Sequence, residues 1–435
     1  VAVEYEQALR ALAARGPEQP GVGPSLERMR ALAELLDHPE RTAPAIHLTG
    51  TNGKTTTVRM CAALLAAFGI GAGAYTSPHL QDVRERIAVA GRPISTGEFA
   101  DAWSYLEPFL AEVDGLAGSP VTYFEALTAL AFTWFAEVPV DVALVEVGMG
   151  GEWDATNLVH GQVAVLTGIG LDHPELGDTR VDVAAEKAGI IKDGATVVVQ
   201  SQEPDVLALL RARARDHRAR LLVEDEAFGV ERRRLAHGGQ VLDLRTPVGL
   251  VRDVYVPLHG RHQAANAAAA LAAVQGFLGD RFLDESTVRA GFAAVTSPGR
   301  LEVVARDPLV VLDGAHNPMG ARALAAALLE EFVVDRRTLV VAALADKDLH
   351  GILEGLAPAT GRLIVTATAS HRAAPAERLR KEAEALGLVA EVAPDVEAAL
   401  ALACEGAGER EAIVVTGSLY TVGEARTLLL GAGPG

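Results

Sequence analysis

HLTGTNGKTTTVRM (47–60) decides how this 435-residue chain is read. AIHLT (45–49) is a short, continuously apolar strand, GTNG (50–53) is a turn of glycine and small polar residues, and Lys54-Thr55 opens a helical pattern that runs to Phe68. Strand, glycine turn, Lys-Thr and helix in this order make a phosphate cradle. Backbone N–H groups of the turn and of the helix start point at phosphate oxygens, Lys54 adds a point charge, and Thr55 or Thr56 offers a hydroxyl to Mg2+. The strict G-x-x-x-x-G-K-[ST] spacing needs Gly at 48, where the chain has Leu48, so this is a variant loop beginning at Gly50.

Outward from the loop, apolar runs alternate with helical patterns, which predicts parallel sheets covered by helices. DVALVEV (141–147) follows a helix at 122–136, and QVAVLTGI (162–169) leads into LDH (171–173). Their unbroken apolar character fits central strands buried on both faces. Between 220 and 257 the pattern changes to short alternating segments with a turn at Gly238-Gly239, which reads as a β-rich hairpin appendage; a long Ala-rich helix follows at 262–279. Ser297-Pro298-Gly299 marks a boundary. The expectation is an α/β protein of two domains: a P-loop ATPase-type central sheet with a β-rich insertion over 1–297, and a smaller Rossmann-like α/β domain over 298–435. The second domain carries strands at 309–313, 338–344, 362–367 and 411–416. No G-x-G-x-x-G stands at a strand-to-helix junction, which argues against a dinucleotide cofactor.

The charge sum, 39 basic against 57 acidic residues, gives −18, so binding to nucleic acid or an anionic membrane would work against the chain's own field. Cys61 and Cys404 cannot make a disulfide framework, and Cys61 reads as a small core residue. The stretch 126–147 is broken by Glu137, Pro139 and Asp141, too interrupted to span a bilayer. The first fifteen residues carry acids among apolar positions, an amphipathic helix rather than a secretion signal, so a cytoplasmic location is expected.

Of the 39 basic residues only five are lysines: Lys54, Lys187, Lys192, Lys347 and Lys381. A chain that writes arginine elsewhere marks lysines as candidates for chemistry a permanently charged guanidinium cannot do. Lys187, in AAEKAGIIKDG, reads as a second phosphate cation, as an amine that takes up CO2 to become a carbamate, or as a surface residue; Lys192 reads as surface. Glu146, at a strand's carboxyl end before VGMGG, is placed to hold a metal, and His173 and Ser77 end neighbouring strands on the same rim. In VVLDGAHNP (310–318), Asp313 and His316 occupy the corresponding rim of the second sheet, where open α/β sheets bind ligands. Asp346, Lys347, Asp348, His371, Arg372, Ser418 and Tyr420 complete a polar rim whose ligand spacing alone does not name.

GTNGKTTT, TSPHL, TYFEALTALAF, EVGMGG, DATN, LDH, EKAGIIK, HQAANAAAAL, PGRLEVV, DGAHNP and TGSLY occur in this order across about residues 45 to 425. This set resembles the folylpolyglutamate synthase/dihydrofolate synthase family of the Mur ligase superfamily. The resemblance implies an ATP-dependent amide ligase that phosphorylates a carboxylate of dihydropteroate or of a folate's terminal glutamate, after which L-glutamate displaces phosphate. It assigns Gly50, Thr51, Asn52, Gly53, Lys54, Thr55 and Thr56 to the phosphates. Thr55, Ser77, Glu146, His173 and a carbamylated Lys187 go to one or two Mg2+ ions, with room for a monovalent cation. Asn266, Arg300, Asp313 and His316 fall at the nucleotide, with Lys54, Lys187 and His316 in the chemistry. Arg86, Thr122, Phe124, Asp154 and Ala155 match the pterin surface, and Ser418 the glutamate end. A monomer acting on small molecules is expected.

Two positions depart from the pattern: the His173–Lys187 spacing is one residue short, and Glu152 stands where the family often has a basic or neutral residue. The same-class rival is a Mur ligase of peptidoglycan precursors, which would carry a further domain ahead of the loop, where this sequence has 49 residues before Gly50. The other rival, a P-loop NTPase switch, lacks an N-K-x-D motif here and leaves the second α/β domain unexplained.

Overall fold

A computed structural model describes residues 4–16, 25–116, 118–172, 174–279 and 281–431. The strands, in chain order, are β1 (Ala45–Thr49), β2 (Ala72–Tyr75), β3 (Ile87–Val89), β4 (Arg92–Pro93), β5 (Val142–Glu146), β6 (Gly161–Leu166), β7 (Thr196–Val199) and β8 (Arg220–Val223). They form one sheet in the order β4-β3-β2-β5-β1-β6-β7-β8, parallel from β2 to β8 with an antiparallel edge. Ile46, Leu48, Val142, Leu144, Val163 and Val165 are fully out of solvent or within 1% of it, because helices cover both faces. Each such aliphatic side chain contributes about 1.5–3 kcal/mol of burial.

The long Ala-rich helix, Arg261–Phe277, lies against the helix Lys54–Ala67, and its small side chains let the two approach closely. The β-rich segment is a separate antiparallel sheet of β9 (Gly229–Ala236), β10 (Gly239–Thr246) and β11 (Gly249–Val256). It starts later than its alternating pattern implies. Arg220–Val223 pairs in parallel with β7 and closes the main sheet, since a four-residue run carries too little periodicity to tell an edge strand from a hairpin arm.

A second sheet holds β12 (Glu302–Arg306), β13 (Leu309–Leu312), β14 (Arg336–Val341), β15 (Arg362–Val365), β16 (Ala390–Val392) and β17 (Glu411–Thr416) in the order β12-β13-β17-β14-β15-β16. Only β12 is antiparallel. β12 escapes the pattern reading because its side chains are mostly half-exposed. No helix among the described residues is long and apolar enough to cross a membrane. Cys61 is fully buried in the main core.

Candidate active site

Adjacency of β5, β1 and β6 brings three loops to one rim: the glycine turn after Thr49, Glu146 at the last residue of β5, and Thr167 to Asp172 after β6. The turn is held from behind. Gly50 has φ +146°, and a Cβ there would lie 1.8 Å from Thr167 Oγ1; Gly53 has φ +88°, with Asn266 Oδ1 2.6 Å from where a Cβ would stand. Both conformation and space therefore demand glycine. Thr167 Oγ1 donates to Asn52 O at 2.7 Å, and Thr51 exchanges two 2.9 Å hydrogen bonds with the backbone of Gly170.

Helix Lys54–Ala67 opens directly on Gly53. Lys54 Nζ folds back to Gly50 O at 2.9 Å, so the cation lies over the turn. Thr55 and Thr56 have different partners: Thr55 Oγ1 donates to Glu146 Oε1 at 3.0 Å, whereas Thr56 Oγ1 meets Ser297 Oγ at 3.1 Å. Thr55 is thus the hydroxyl that faces the acidic side of the cradle. Glu146 also accepts from the backbone N–H of Ser77 at 3.3 Å. Burial pushes the Glu146 carboxyl up, and Lys54 and the Thr55 hydrogen bond pull the other way.

Lys187, at the end of the helix Arg180–Lys187, is 4% exposed and donates from Nζ to Gly50 O at 3.0 Å. Two lysines therefore converge on one carbonyl of the cradle. Burial, and then the nearby Lys54 charge, bring the Lys187 amine down to about 7. Lys192, read as surface from the sequence, instead reaches Asn157 Oδ1 at 2.8 Å. His173 lies outside the described residues; its neighbour Asp172 receives Lys347 Nζ at 2.9 Å and stands 3.8 Å from His316 Nε2.

The second sheet contributes its own rim. Asp313 accepts the N–H groups of Leu301 and Ala315 at 2.9 Å each, which shapes the loop, and burial pushes its carboxyl up. His316 is held well below the usual range, to about 4, by burial. Its Nδ1–H donates to Gly314 O at 2.8 Å, leaving the Nε2 lone pair toward Asp172. Asn317 and Asn52 exchange amide hydrogen bonds of 3.1 and 3.0 Å, a direct join between the second domain and the cradle. A cavity of about 960 Å3 lies along this seam, lined among others by Gly170, Asp172, Arg180, His316, Arg322 and Lys347.

The chain matches the Mur ligase middle domain over residues 48–274 and the Mur ligase glutamate ligase domain over 299–419. A dihydrofolate synthase/folylpolyglutamate synthase of Mycobacterium tuberculosis is 45% identical, with 94% of this chain and 90% of the relative covered. This chain belongs to the folylpolyglutamate synthase/dihydrofolate synthase family of Mur ligases. Among solved structures, Mycobacterium tuberculosis folylpolyglutamate synthase complexed with ADP superposes with a TM-score of 0.93, 43% identity and 99% coverage of both chains. An FPGS-AMPPCP-folate complex gives 0.88 at 32% identity, covering 98% of this chain and all of the other. The protein is accordingly an ATP-dependent ligase, and the α/β architecture expected from the pattern is the one found.

In this ligase the residues matched to the pterin surface surround β2 and β5. Arg86 stacks its guanidinium over Tyr123, 5.6 Å from the ring centre, and donates to His79 Nδ1 at 2.9 Å. Phe124 packs beside Tyr75 at 6.0 Å and fills the space a Cβ on Gly148 would take. Thr122 caps the helix Tyr123–Glu137 in a reciprocal box with Glu125, which the buried Arg28 holds at 2.9 Å. Asp154 accepts Met149 N–H at 2.9 Å and both the N–H and the hydroxyl of Thr156, while Ala155 is buried beside it. Asp154 thus shapes the GMGG loop that carries on from Glu146. Glu152 turns away from this wall to Arg213, 3.2 Å away. Asn266 backs Gly53, its amide engaged by Gln200 and Gln263. Ser418 caps the helix Leu419–Leu430.

Sequence reasoning passed over Thr167, Asp172 and Asn317. Asp172 and Asn317 sit inside quoted motifs beside residues chosen for them, while nothing in the run QVAVLTGI distinguishes Thr167 as a contact of Gly50.

Beneath the site, the fully buried His47 donates from Nε2 to Thr156 Oγ1 at 2.9 Å, since that hydroxyl gives its own proton to Asp154. Its Nδ1 has no partner among the described residues, and burial brings the ring down to about 3. The unfolded imidazole takes a proton near pH 6.5 and the folded one only near 3, so stability attributable to this group is lost as pH falls through that window. The slope is about 1.4 kcal/mol per pH unit. His47→Leu is expected to remove one proton from the pH dependence of unfolding between pH 6 and 4, as read from denaturant midpoints; an unchanged slope contradicts it.

Proposed function

We propose that this ligase uses MgATP to phosphorylate the carboxylate of dihydropteroate, of a folate's terminal glutamate, or of both, and joins L-glutamate to the activated carbonyl. The observation that carries the reading is the convergence of Lys54, Lys187 and the Thr55–Glu146 pair on the Gly50–Gly53 cradle, with the second domain's Asn317 touching Asn52. The synthase relatives, and the neighbours solved with ADP or with AMPPCP and folate, support it.

A carboxylate is a poor electrophile, so the substrate oxygen attacks the terminal phosphorus of ATP, the bond to ADP breaks, and an acyl phosphate forms. The amine of L-glutamate then attacks the carbonyl carbon, phosphate departs with the bonding pair, and the nitrogen gives up a proton. Backbone N–H groups from Asn52 to Thr56 and the Lys54 ammonium bind the phosphates and oppose the charge that builds on the transferred group, while the Thr51 N–H is taken by Gly168 O at 2.9 Å and holds the turn instead. His316, neutral with its Nε2 lone pair toward Asp172, receives the proton of the incoming amine.

Glu146 and the Thr55 hydroxyl are oxygen donors side by side, which suits Mg2+. That ion keeps several waters and uses one or two carboxylates with substrate phosphates, so the absence of a cluster of three His, Cys, Asp or Glu among the described residues does not tell against it. The ion supplies charge neutralisation at the phosphates. Lys187 is buried, and burial together with the nearby Lys54 charge brings its amine down to about 7, which favours the neutral, nucleophilic form. It would add to CO2 through nitrogen and release one proton, giving an N-carboxylate that faces the cradle.

The test is ADP release and product mass with MgATP and L-glutamate, run with dihydropteroate, with tetrahydrofolate and with neither. Glutamylated pteroate or folate is expected; ADP formed equally without either acceptor, or only with a UDP-linked sugar acid, overturns the folate reading.

A further inference from the structure

Arg28 stands on the helix Glu27–Leu35, ahead of both matched domains, and no motif quoted above contains it. Its side chain is 7% exposed and that of its partner Glu125 is 3% exposed, so the pair is taken almost wholly out of water. Nε donates to the two Glu125 oxygens at 3.1 and 2.9 Å, and Nη1 donates to Ser119 Oγ at 3.0 Å. One guanidinium therefore grips the chain both before and after Thr122.

Glu125 also builds the start of a helix. Its Oε2 accepts the Thr122 N–H at 2.8 Å, while Thr122 Oγ1 accepts the Glu125 N–H at 3.3 Å, the reciprocal box that opens the helix Tyr123–Glu137. Two further contacts from the same end of the chain hold this run: Arg15 Nη1 donates to Val121 O at 3.0 Å, and Gly16 O accepts the Tyr123 N–H at 3.0 Å. Next comes Phe124, whose ring lies 2.4 Å from where a Cβ on Gly148 would stand, just beyond Glu146. Thr122 and Phe124 are residues matched to the pterin surface, so the aim of that surface is set from behind by the buried pair. Such a pair returns about what its desolvation costs, and an apolar pair of equal volume would join the two helices as well. What the guanidinium adds is direction, because its donors lie in one rigid plane.

We propose that Arg28 is a positioning residue for the acceptor: through Glu125 and Ser119 it fixes the first turn of the helix Tyr123–Glu137, and with it the wall on which the aromatic part of the acceptor acid lies. This rests on the folate reading above. Loss of the grip frees Thr122 and Phe124 and weakens acceptor binding. The Gly50–Gly53 cradle, held separately by Thr167 and Gly170, is untouched.

Arg28→Met alone would strand a buried carboxylate, so it is combined with Glu125→Gln, whose amide oxygen still accepts the Thr122 N–H. KM and kcat for each acceptor the wild type uses, dihydropteroate or tetrahydrofolate, are measured on the full chain together with MgADP binding by calorimetry and Tm. The variants are the double substitution and Arg28→Lys, which keeps the charge and loses the planar fork. The double variant is expected to raise the acceptor KM about ten-fold, with kcat and MgADP affinity within about two-fold of wild type. Arg28→Lys is expected to restore part of the loss, at about three-fold above the wild-type KM, and it decides alone should the double variant fail to fold. An acceptor KM within about two-fold of wild type in the folded variants, or an equal loss of MgADP affinity, makes the pair a structural joint only and overturns the proposal. A wild type that glutamylates neither acceptor is a different failure, which removes the folate reading and this inference with it.

Discussion

Glu146→Ala is expected to lower kcat by about 10^3-fold or more while the chain keeps its fold. The carboxylate is the one acid among the described residues that touches the Lys54–Thr56 turn, through Thr55 Oγ1 at 3.0 Å, and it fixes the start of the Ser77 loop through a backbone N–H. Its loss takes negative charge from beside Lys54, where a Mg2+-bound phosphate would be held. It also leaves two donors without an acceptor, at about 1–3 kcal/mol each. Glu146→Gln, which retains the shape, separates the two effects: a stability near wild type with kcat still depressed locates the loss in charge. Lys54→Ala is expected to give a similar fall. ADP release at the wild-type rate from Glu146→Ala or Lys54→Ala, with unchanged circular dichroism melting, removes these side chains from the site.

Lys187→Ala is expected to cost about 10^2-fold or more in kcat, and Lys187→Arg is expected to rescue nothing, because a guanidinium stays charged and does not add to CO2. The lysine is 4% exposed, its Nζ is 3.0 Å from Gly50 O, and the cavity it lines with Gly50, Thr51, Lys54 and Asp172 is small. Removing the side chain opens room there for a small anion. Formate or acetate is therefore expected to restore part of the activity of Lys187→Ala and none of Lys187→Arg. Full activity of Lys187→Ala without any added acid assigns the lysine to structure alone. Activity of Lys187→Arg close to wild type rules out the carbamate and leaves a cation as the requirement.

The strand and helix framework was readable where periodicity is long. AIHLT, the helix after Lys54, DVALVEV, the Ala-rich helix and the parallel strands after Leu309 all stand within a few residues of their patterns. Short elements at edges were not. Arg220–Val223 looks like part of the antiparallel insertion, and Glu302–Arg306 has no alternation at all, because an edge strand is half solvated and its side chains are under weak selection for polarity. Within the site, Lys187 stood out by type, as one of five lysines in a chain that otherwise uses arginine. Lys192, five residues on, had the same compositional claim; burial and direction separate them, since one Nζ reaches Gly50 O and the other Asn157 Oδ1.

By itself, the sequence determined the local chemistry: a glycine turn between an apolar strand and a Lys-Thr helix, an acid at a neighbouring strand end, and motifs whose order marks the ligase family. These are properties of adjacent residues, set by backbone sterics and hydrogen-bonding capacity. What only the tertiary structure decided is partnership across the chain. Thr55 rather than Thr56 faces Glu146, Thr167 closes on Gly50, and Asn52 pairs with Asn317 from the other domain. Such contacts join residues up to 265 positions apart. They depend on strand order and domain packing, which the alternation of polar and apolar residues along a chain does not encode.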